Sequence, residues 1–320
     1  MDEDSRLLKN EKRFTWNTQM IVLAVVIVLW IFLGIRSKYF FTASNIKNIM
    51  RQMAIQGVLS VGMVVVIITA GIDLSVGAVV ALVNISMSKM VVSGTPIWLS
   101  ILTCLILASA LGFVNGFVIF DLRVPAFIAT LGMMSIARGA TLLLSKGNNI
   151  FGLPRSIANF ASSDFLGIPS LFWFLIIVTV IIEMMLRLTK FGRYVYAIGS
   201  NTEAARLSGV NIRLVTYGVY TLAGFLWGVG GILETSRLWM GVPTTGTGYE
   251  LDAIAAAVLG GASLFGAEGN AIGAFFGALV MITIYNGAVL LNINPFWQRI
   301  IVGAILVATV AVDQVRKRRS

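Results

Sequence analysis

The sequence predicts an all-α integral membrane protein of about ten transmembrane helices, some broken or re-entrant, built on an inverted internal repeat. Three observations point there. Hydrophobic residues make up 58% of the 320 and charged residues only 12%, against about 25% charged in an ordinary soluble domain; mean hydropathy is +0.90. Apolar runs of roughly the 20 residues that cross a bilayer recur along the chain. Lys and Arg gather between those runs, as in the cytoplasmic loops of membrane proteins.

The elements follow in order. Residues 1–17 form a tail of mixed charge, Asp2, Glu3, Asp4 and Glu11 against Arg6, Lys9, Lys12 and Arg13. It shows no signal-peptide cleavage pattern and is expected in the cytoplasm. A membrane domain is expected over 18–313. Met20–Ile35 runs outward, Ala54–Ala70 inward, Gly77–Val92 outward, Ile97–Phe120 inward and Pro125–Leu144 outward. Ser145–Pro169, rich in Gly, Ser, Asn and Pro, is the longest connection and is expected outside. Ser170–Leu188 returns to a basic segment, 188–213, with Arg187, Lys190, Arg193, Arg206 and Arg213 in or beside it. Leu214–Thr235 runs outward, and Ala253–Ala267, Ala271–Ile293 and Ile300–Val312 supply the remaining crossings. The tail 314–320, with Arg316-Lys317-Arg318-Arg319, closes the chain in the cytoplasm. Against the charge rule, Arg36, Lys38, Lys47 and Arg51 fall on the outer side.

Two crossings are too short or too glycine-rich to be ordinary spans. From Gln52 to Ser88 the only ionisable residue is Asp73, and this stretch barely holds two helices at about 1.5 Å rise per residue. Ala253–Ala267 is shorter than a span and contains Gly260, Gly261 and Gly266. Irregular backbone at membrane depth survives only where protein or a water-filled cavity covers it, and paired short segments mark broken helices on a transport path. The two places are alike: Ile72–Val80 and Leu251–Leu259 each put one Asp at the head of an apolar stretch. Gly112-x-x-x-Gly116 and Gly273-x-x-x-Gly277 extend the comparison less well, because their spacing from the Asp differs.

Several chemistries are excluded. Histidine is absent, so no Ser-His-Asp or Cys-His arrangement is possible. Cys104 is the only cysteine, which rules out an intrachain disulfide and a cysteine metal cluster. The net charge of +10 follows loop topology and is no nucleic-acid footprint. No Gly-x-x-x-x-Gly-Lys-Ser/Thr loop is present, so any ATP site must lie on another polypeptide. No enzyme activity, cofactor or metal is expected.

A mid-span Asp costs about 2.5–3.5 kcal/mol on insertion scales, so Asp73 requires a reason. It either caps the turn after a helix break, through the amides of Ser75 or Val76, or touches cargo. Asp252, with Glu250 beside it, poses the same choice. Asn115, Asn286 and Arg138 either line a path or bond between packed helices. The Gly224–Gly228 spacing and the aromatic residues Trp16, Trp98, Trp173 and Trp297 read as helix packing and interfacial anchors.

The basic segment writes its own helix. Ser200-Asn201-Thr202-Glu203 has capping-box spacing, Ala204 to Leu207 favour helix, and Gly209 suits a left-handed C-terminal cap. About two turns are expected outside the hydrocarbon, with Ala204 and Ala205 forming a small-residue face. Such a helix is either a docking surface or a connector.

Glu203-Ala204-Ala205-Arg206-Leu207-Ser208-Gly209 resembles the coupling segment of permease subunits of ATP-binding-cassette importers. Ala70–Gly77, Val124–Met134 and Gly246–Ala256 are similar to signatures of one branch, the ribose/xylose/arabinose/galactose-type sugar permeases. The resemblance runs from about Phe41 to nearly the end of the chain, while Tyr39–Arg51 and the long external loop diverge. It implies the membrane subunit of an importer for a monosaccharide, ribose or a related pentose or hexose, in a bacterial inner membrane. Its implied partners are an ATPase subunit, a periplasmic or lipid-anchored sugar-binding protein, a second permease copy and membrane lipid, with no nucleic acid. It carries the ATPase-coupling role to Gly192, Arg193, Gly199, Ser200, Asn201, Glu203, Ala204, Ala205, Arg206 and Gly209. The translocation path falls to Gly71, Asp73, Ser75, Gly77, Asn115, Glu250 and Asp252. Two alternatives stay open: the same machinery carrying a nucleoside, amino acid or sugar-derived signal, and an ion-coupled secondary transporter. The latter normally needs a carboxylate relay, and only Glu183 accompanies Asp73 within the apolar runs.

Overall fold

The computed structural model describes residues 18–319, so the expected cytoplasmic tail 1–17 lies outside the described residues. The described chain is helical apart from a short hairpin, β1 (Asp164–Phe165) with β2 (Ile168–Pro169). Its long helices are α1 (Thr18–Arg36), α2 (Ala43–Ile68), α4 (Ile97–Phe120), α5 (Ala126–Ser145), α7 (Ser170–Leu188), α10 (Ile212–Leu238) and α12 (Ala271–Leu290). These seven are long and apolar enough to cross a membrane. Between and after them come α3 (Val76–Val92), α6 (Arg155–Ser162), α8 (Lys190–Ser200), α9 (Thr202–Leu207), α11 (Tyr249–Leu259) and α13 (Pro295–Arg319). The expected final span and basic tail are one continuous helix, α13.

The core forms around α2. Every residue from Met53 to Ile68 is buried, because Val, Ile, Met, Gly and Ala cover all sides of the helix. Helices α7, α10, α11 and α12 enclose it. A helix apolar all round belongs in such a position. By contrast α1, α4 and α5 expose Ile31, Ile106 and Leu143, the apolar outer surface that a bilayer covers.

Small residues set the tightest contacts. A Cβ on Gly112 would lie 2.1 Å from the Tyr220 carbonyl oxygen, and one on Gly224 would lie 2.4 Å from that of Ala108. Helices α4 and α10 therefore touch through their backbones. Gly277 does the same to Ala256 of α11, at 1.9 Å. The expected equivalence of Gly112-x-x-x-Gly116 with Gly273-x-x-x-Gly277 fails on this point. The first pair meets α10 and the second meets α11, so they fill different places.

Helix α2 starts at Ala43, eleven residues before the expected Ala54. Thr42 accepts the Asn45 amide as its cap. The polar residues that hide this first part from a hydropathy reading face one rim of the protein. There Lys47 meets Asp164 of β1 at 2.5 Å and Arg51 meets it at 3.6 Å. Of the cations expected to break the charge rule, Lys47 and Arg51 are thus paired with the long loop beside them. Helix α11 also differs from expectation: it starts earlier, at Tyr249, and stops at Leu259, where Gly260 and Gly261 turn the chain.

Candidate functional site

Between α2 and α3 the chain leaves helical geometry. Ala70 has φ 59°, and residues 71–75 form neither helix nor strand, Ser75 turning into helical geometry as the N-cap of α3. Asp73 is fully buried in this break. Its Oδ1 accepts from the Ser75 amide at 2.8 Å and the Ser75 hydroxyl at 2.6 Å. Trp227 Nε1 donates to Oδ2 at 3.3 Å, and Asn115 Nδ2 donates to the Ser75 hydroxyl at 3.3 Å. Each of Asp73's partners is a donor, so the carboxyl group pins the break and caps through Ser75. Trp227 is the sixteenth of 27 residues in α10, a helix about 40 Å long, so the break lies near mid-helix depth. Glu183 plays no part in it. That residue accepts from the first amides of α12, Ala271 at 2.8 Å and Ile272 at 3.3 Å, and pairs with Arg187.

Gly71 and Gly77 are where they are because nothing larger fits. A Cβ on Gly71 would lie 2.7 Å from the Tyr220 hydroxyl, and one on Gly77 would lie 1.8 Å from the Gly246 carbonyl oxygen. Gly246, at φ 72°, belongs to a loop that dips back into the protein after α10. Arg138 holds that loop, donating to the carbonyls of Pro243 at 3.0 Å and Thr245 at 2.9 Å. Asn84 holds it as well, accepting the Val242 amide at 2.7 Å. Arg138 is thus a loop clamp, and Asn286 a helix clamp, exchanging bonds with Asn45 at 2.8 and 3.0 Å. Of Asn115, Asn286 and Arg138, only Asn115 joins the Asp73 cluster.

Glu250 sits in the first turn of α11, its Oε2 2.7 Å from where a Gly77 Cβ would stand. Its neighbours Tyr249 and Asp252 line a polar cavity of about 180 Å³ with Gln52 and Gln56 of α2, Glu234 and Arg237 of α10, and Tyr285 of α12. Arg237 donates twice to Glu234, at 2.9 and 3.2 Å. Glu234 also accepts from the Tyr249 hydroxyl at 3.2 Å and from the Thr245 hydroxyl at 3.3 Å, while Tyr285 donates to Asp252 at 2.6 Å. Asp252 and its neighbour Glu250 stand out in the sequence, whereas the five polar cavity residues outside their turn do not. The available signals were weak: Gln52 and Gln56 four apart in an apolar helix, and Glu234 three before Arg237.

The basic segment folds as two helices. Thr189 caps α8, accepting the Gly192 amide at 3.1 Å, and a Cβ on Gly192 would lie 2.1 Å from the Leu186 carbonyl oxygen. Val195 and Ile198 face inward, while Arg193 and Ser200 are exposed. Gly199 is jammed: a Cβ there would lie 1.8 Å from the Ile68 carbonyl oxygen and 2.6 Å from the Ala267 amide nitrogen. Tyr196 donates to the Gly269 carbonyl at 2.7 Å, and burial, reinforced by Glu183, pushes its phenol above the ordinary value. Helix α8 therefore abuts both the end of α2 and the loop joining α11 to α12.

The expected capping box is one residue out of register. Ser200 is the last residue of α8, so its backbone is helical; Asn201, at φ −161° and ψ 105°, caps α9 by accepting the Ala204 amide at 2.9 Å. Glu203 pairs with Arg206 at 2.9 Å rather than reaching back. Helix α9 has six residues, shorter than expected. Gly209 has φ 82°, its amide donating to Arg206 and that of Val210 to Ala205, a Schellman closure. Ala204 and Ala205 do not share a face. Ala205 is buried, and the outer surface is Glu203, Ala204, Arg206 and Leu207, the last 81% exposed.

The family model for the branched-chain amino acid transport system permease component matches residues 45–310. The ribose import permease protein of Escherichia coli strain K12 is 38% identical over 311 residues, 93% of this chain and 94% of that protein. The ribose import permease protein of Bacillus subtilis strain 168 is 41% identical over 289 residues, 90% of each. The D-allose transport system permease protein of Escherichia coli strain K12 is 32% identical over 300 residues, 93% of this chain and 92% of that protein. No solved structure matches the chain.

Proposed function

The chain belongs to the branched-chain amino acid transport system permease-component family, and on that premise we propose that it is the membrane subunit of an ATP-driven importer for a monosaccharide, ribose or a related pentose or hexose. The observation that carries the cargo is sustained likeness, across nine-tenths of the chain, to permeases for ribose and allose. A neutral cargo also suits a polar cavity whose one cation is paired with a carboxylate.

On this reading α3, α11 and α13 complete the seven apolar helices to ten crossings. The repeat pairs α2–α5 with α10–α13 in the same order. What supports it is the packing: α4 lies on α10 as α12 lies on α2, and α3 lies on α10 as α11 lies on α2. The pairs α3–α4 and α11–α12, then α3–α5 and α11–α13, match as well. One crossing, α7, between the two sets gives them opposite directions. The face bearing Lys190, Arg193, Arg206 and Arg213 is then cytoplasmic with both termini, and the face of Asp164 is external.

An ATPase subunit would supply hydrolysis, and this chain would break no bond. Its exposed Leu207 and the Glu203–Arg206 pair make the docking surface of α9. A push there reaches α8, then through Gly199 and Tyr196 the loop at the inner end of α11. The outer end of α11 bears Tyr249, Glu250 and Asp252, so the stroke arrives between the cavity and the first turn of α3. A second copy would complete the path, with a soluble or lipid-anchored sugar-binding protein on the external face.

The test is uptake of labelled ribose into proteoliposomes holding the permease with its ATPase and binding protein. Accumulation that requires ATP and both partners supports the proposal. Full accumulation by the permease alone, abolished by an uncoupler, would replace it with an ion-coupled transporter.

A further inference from the structure

We propose that the permease itself binds one sugar molecule, in the cavity between α2, α10, α11 and α12, and so takes part in choosing the cargo. The inference rests on the monosaccharide reading above and adds a subsite to it.

The decisive atom is Gln56 Nε2. Gln56 is 4% exposed, lines the cavity, and its amide nitrogen is buried without a hydrogen-bond partner. Buried donors are almost always paired, and an unpaired one at a cavity wall awaits a ligand acceptor. Across the cavity, Asp252 accepts from Tyr285 at 2.6 Å, which leaves acceptor capacity on a carboxyl group with about four lone-pair positions. A hydroxyl both donates and accepts, so a polyol satisfies Gln56 and Asp252 together where a simple anion or cation satisfies one.

Charge narrows the class further. Arg237 is committed to Glu234 by two bonds, and Glu234 also takes Tyr249 and Thr245. That cluster forms a closed wall and leaves no free cation for a carboxylate or phosphate ligand. Ile55 and Ile282 supply apolar surface for the C–H face of a sugar ring. The cavity, about 180 Å³, equals roughly six water molecules at about 30 Å³ each. It has room for a single monosaccharide.

The experiment measures equilibrium binding of tritiated ribose and allose to the full-length permease in nanodiscs, without the binding protein, beside ATP-driven uptake by the complete complex. Gln56→Leu removes the free donor, and Tyr285→Phe removes the hydroxyl that holds Asp252. Monodisperse elution establishes that each variant folds, and Gln56→Met serves if the leucine variant does not. The expected result is saturable binding of at least one sugar, weakened about tenfold or more in Gln56→Leu, the usual weight of one buried hydrogen bond. The ratio of ribose to allose uptake efficiency should shift in both variants. Absence of saturable binding, or binding and uptake ratios that both variants leave unchanged, overturns the subsite. ATP-dependent uptake persisting in that same experiment shows that the transporter reading still stands; loss of it for both sugars in the unaltered complex overturns both.

Discussion

Gly199→Ala is the sharpest test of how force enters this molecule. The added Cβ would stand 1.8 Å from the Ile68 carbonyl oxygen, whereas ordinary contact begins at 3.4 Å, so α8 must retreat by 1.6 Å or the α2 end must yield. The obstructing atoms, Ile68 O and Ala267 N, are backbone, and no rotamer change relieves them. Overpacking of this kind costs about 1–3 kcal/mol. If the loop gives way instead, the Ala267 amide loses its 2.9 Å bond to Ile68, about 1–3 kcal/mol for a buried group left unpaired. A penalty of a few kcal/mol on the seated arrangement shifts the ratio of two transporter states by about 10²-fold or more. The assay runs ATP hydrolysis and ribose uptake in parallel on proteoliposomes of the full complex, with copurification confirming that the ATPase stays bound. The expected outcome is uptake per ATP reduced about tenfold or more while hydrolysis continues. Gly132→Ala, in α5 with nothing within 4 Å of the new Cβ, is the control and should couple normally. Normal coupling in Gly199→Ala, with the contact between α8 and the end of α2 shown to have shifted, would refute the route through α8.

Other substitutions probe separate links. Asp73→Asn keeps an oxygen for Ser75 but presents an amide to Trp227, so the complex should lose about 1.5–3 kcal/mol of stability, read as a lower denaturation temperature in detergent. Adding Trp227→Phe should cost less than the two single changes summed, and strict additivity would break the link between these side chains. Leu207→Asp should lower ATPase copurification about tenfold, as loss of a contact anchor does, while membrane insertion is unchanged; equal recovery of the ATPase would remove α9 from the interface. A Ser200→Cys label, in a Cys104→Ser background, should react only from the cytoplasmic side, and reaction with an impermeant reagent in intact cells would invert the proposed topology.

The sequence was most legible where one residue type was isolated by chemistry. Asp73 is the sole ionisable group from Gln52 to Ser88, and any fold had to satisfy it; the structure does so with Ser75, Trp227 and Asn115. Of these, Trp227 was invisible beforehand, because a tryptophan in an apolar helix gives no sign of its N–H partner 154 residues away. The start of α2 was illegible for the opposite reason. Asn45, Lys47, Asn48, Arg51 and Gln52 interrupt the apolar run, yet a helix end needs only a rim and a counter-charge, which Asp164 provides. Cap register failed because Ser200 and Asn201 are both good caps. The choice between them was made by how far α8 extends, and Gly199 packing against α2 fixes that. The cavity was hidden since its polar residues come from four helices, none with a telling spacing.

The two interrupted elements meet at bare backbone, and that has a mechanical consequence. Gly77 and Gly246 approach so closely that neither position has room for a Cβ, 1.8 Å from one side and 2.2 Å from the other. A seal of this kind closes tightly but buries no side chain, so parting it forfeits little apolar burial, at about 25 cal/mol per Å². The two sides are not equally free. On the α3 side the break is held by Asp73 to Ser75 and Trp227, and by Thr130, whose hydroxyl reaches the Ile72 carbonyl at 3.3 Å. On the other side α11 is only eleven residues long, with glycine turns before and after it, and its inner loop is the one that α8 touches. On the proposed reading the fixed jaw is therefore α3 and the moving jaw α11. A stroke delivered at Gly199 would draw Tyr249 and Asp252 out of the cavity as it withdraws Glu250 from Gly77, opening the sugar's exit and dismantling its binding site in one motion.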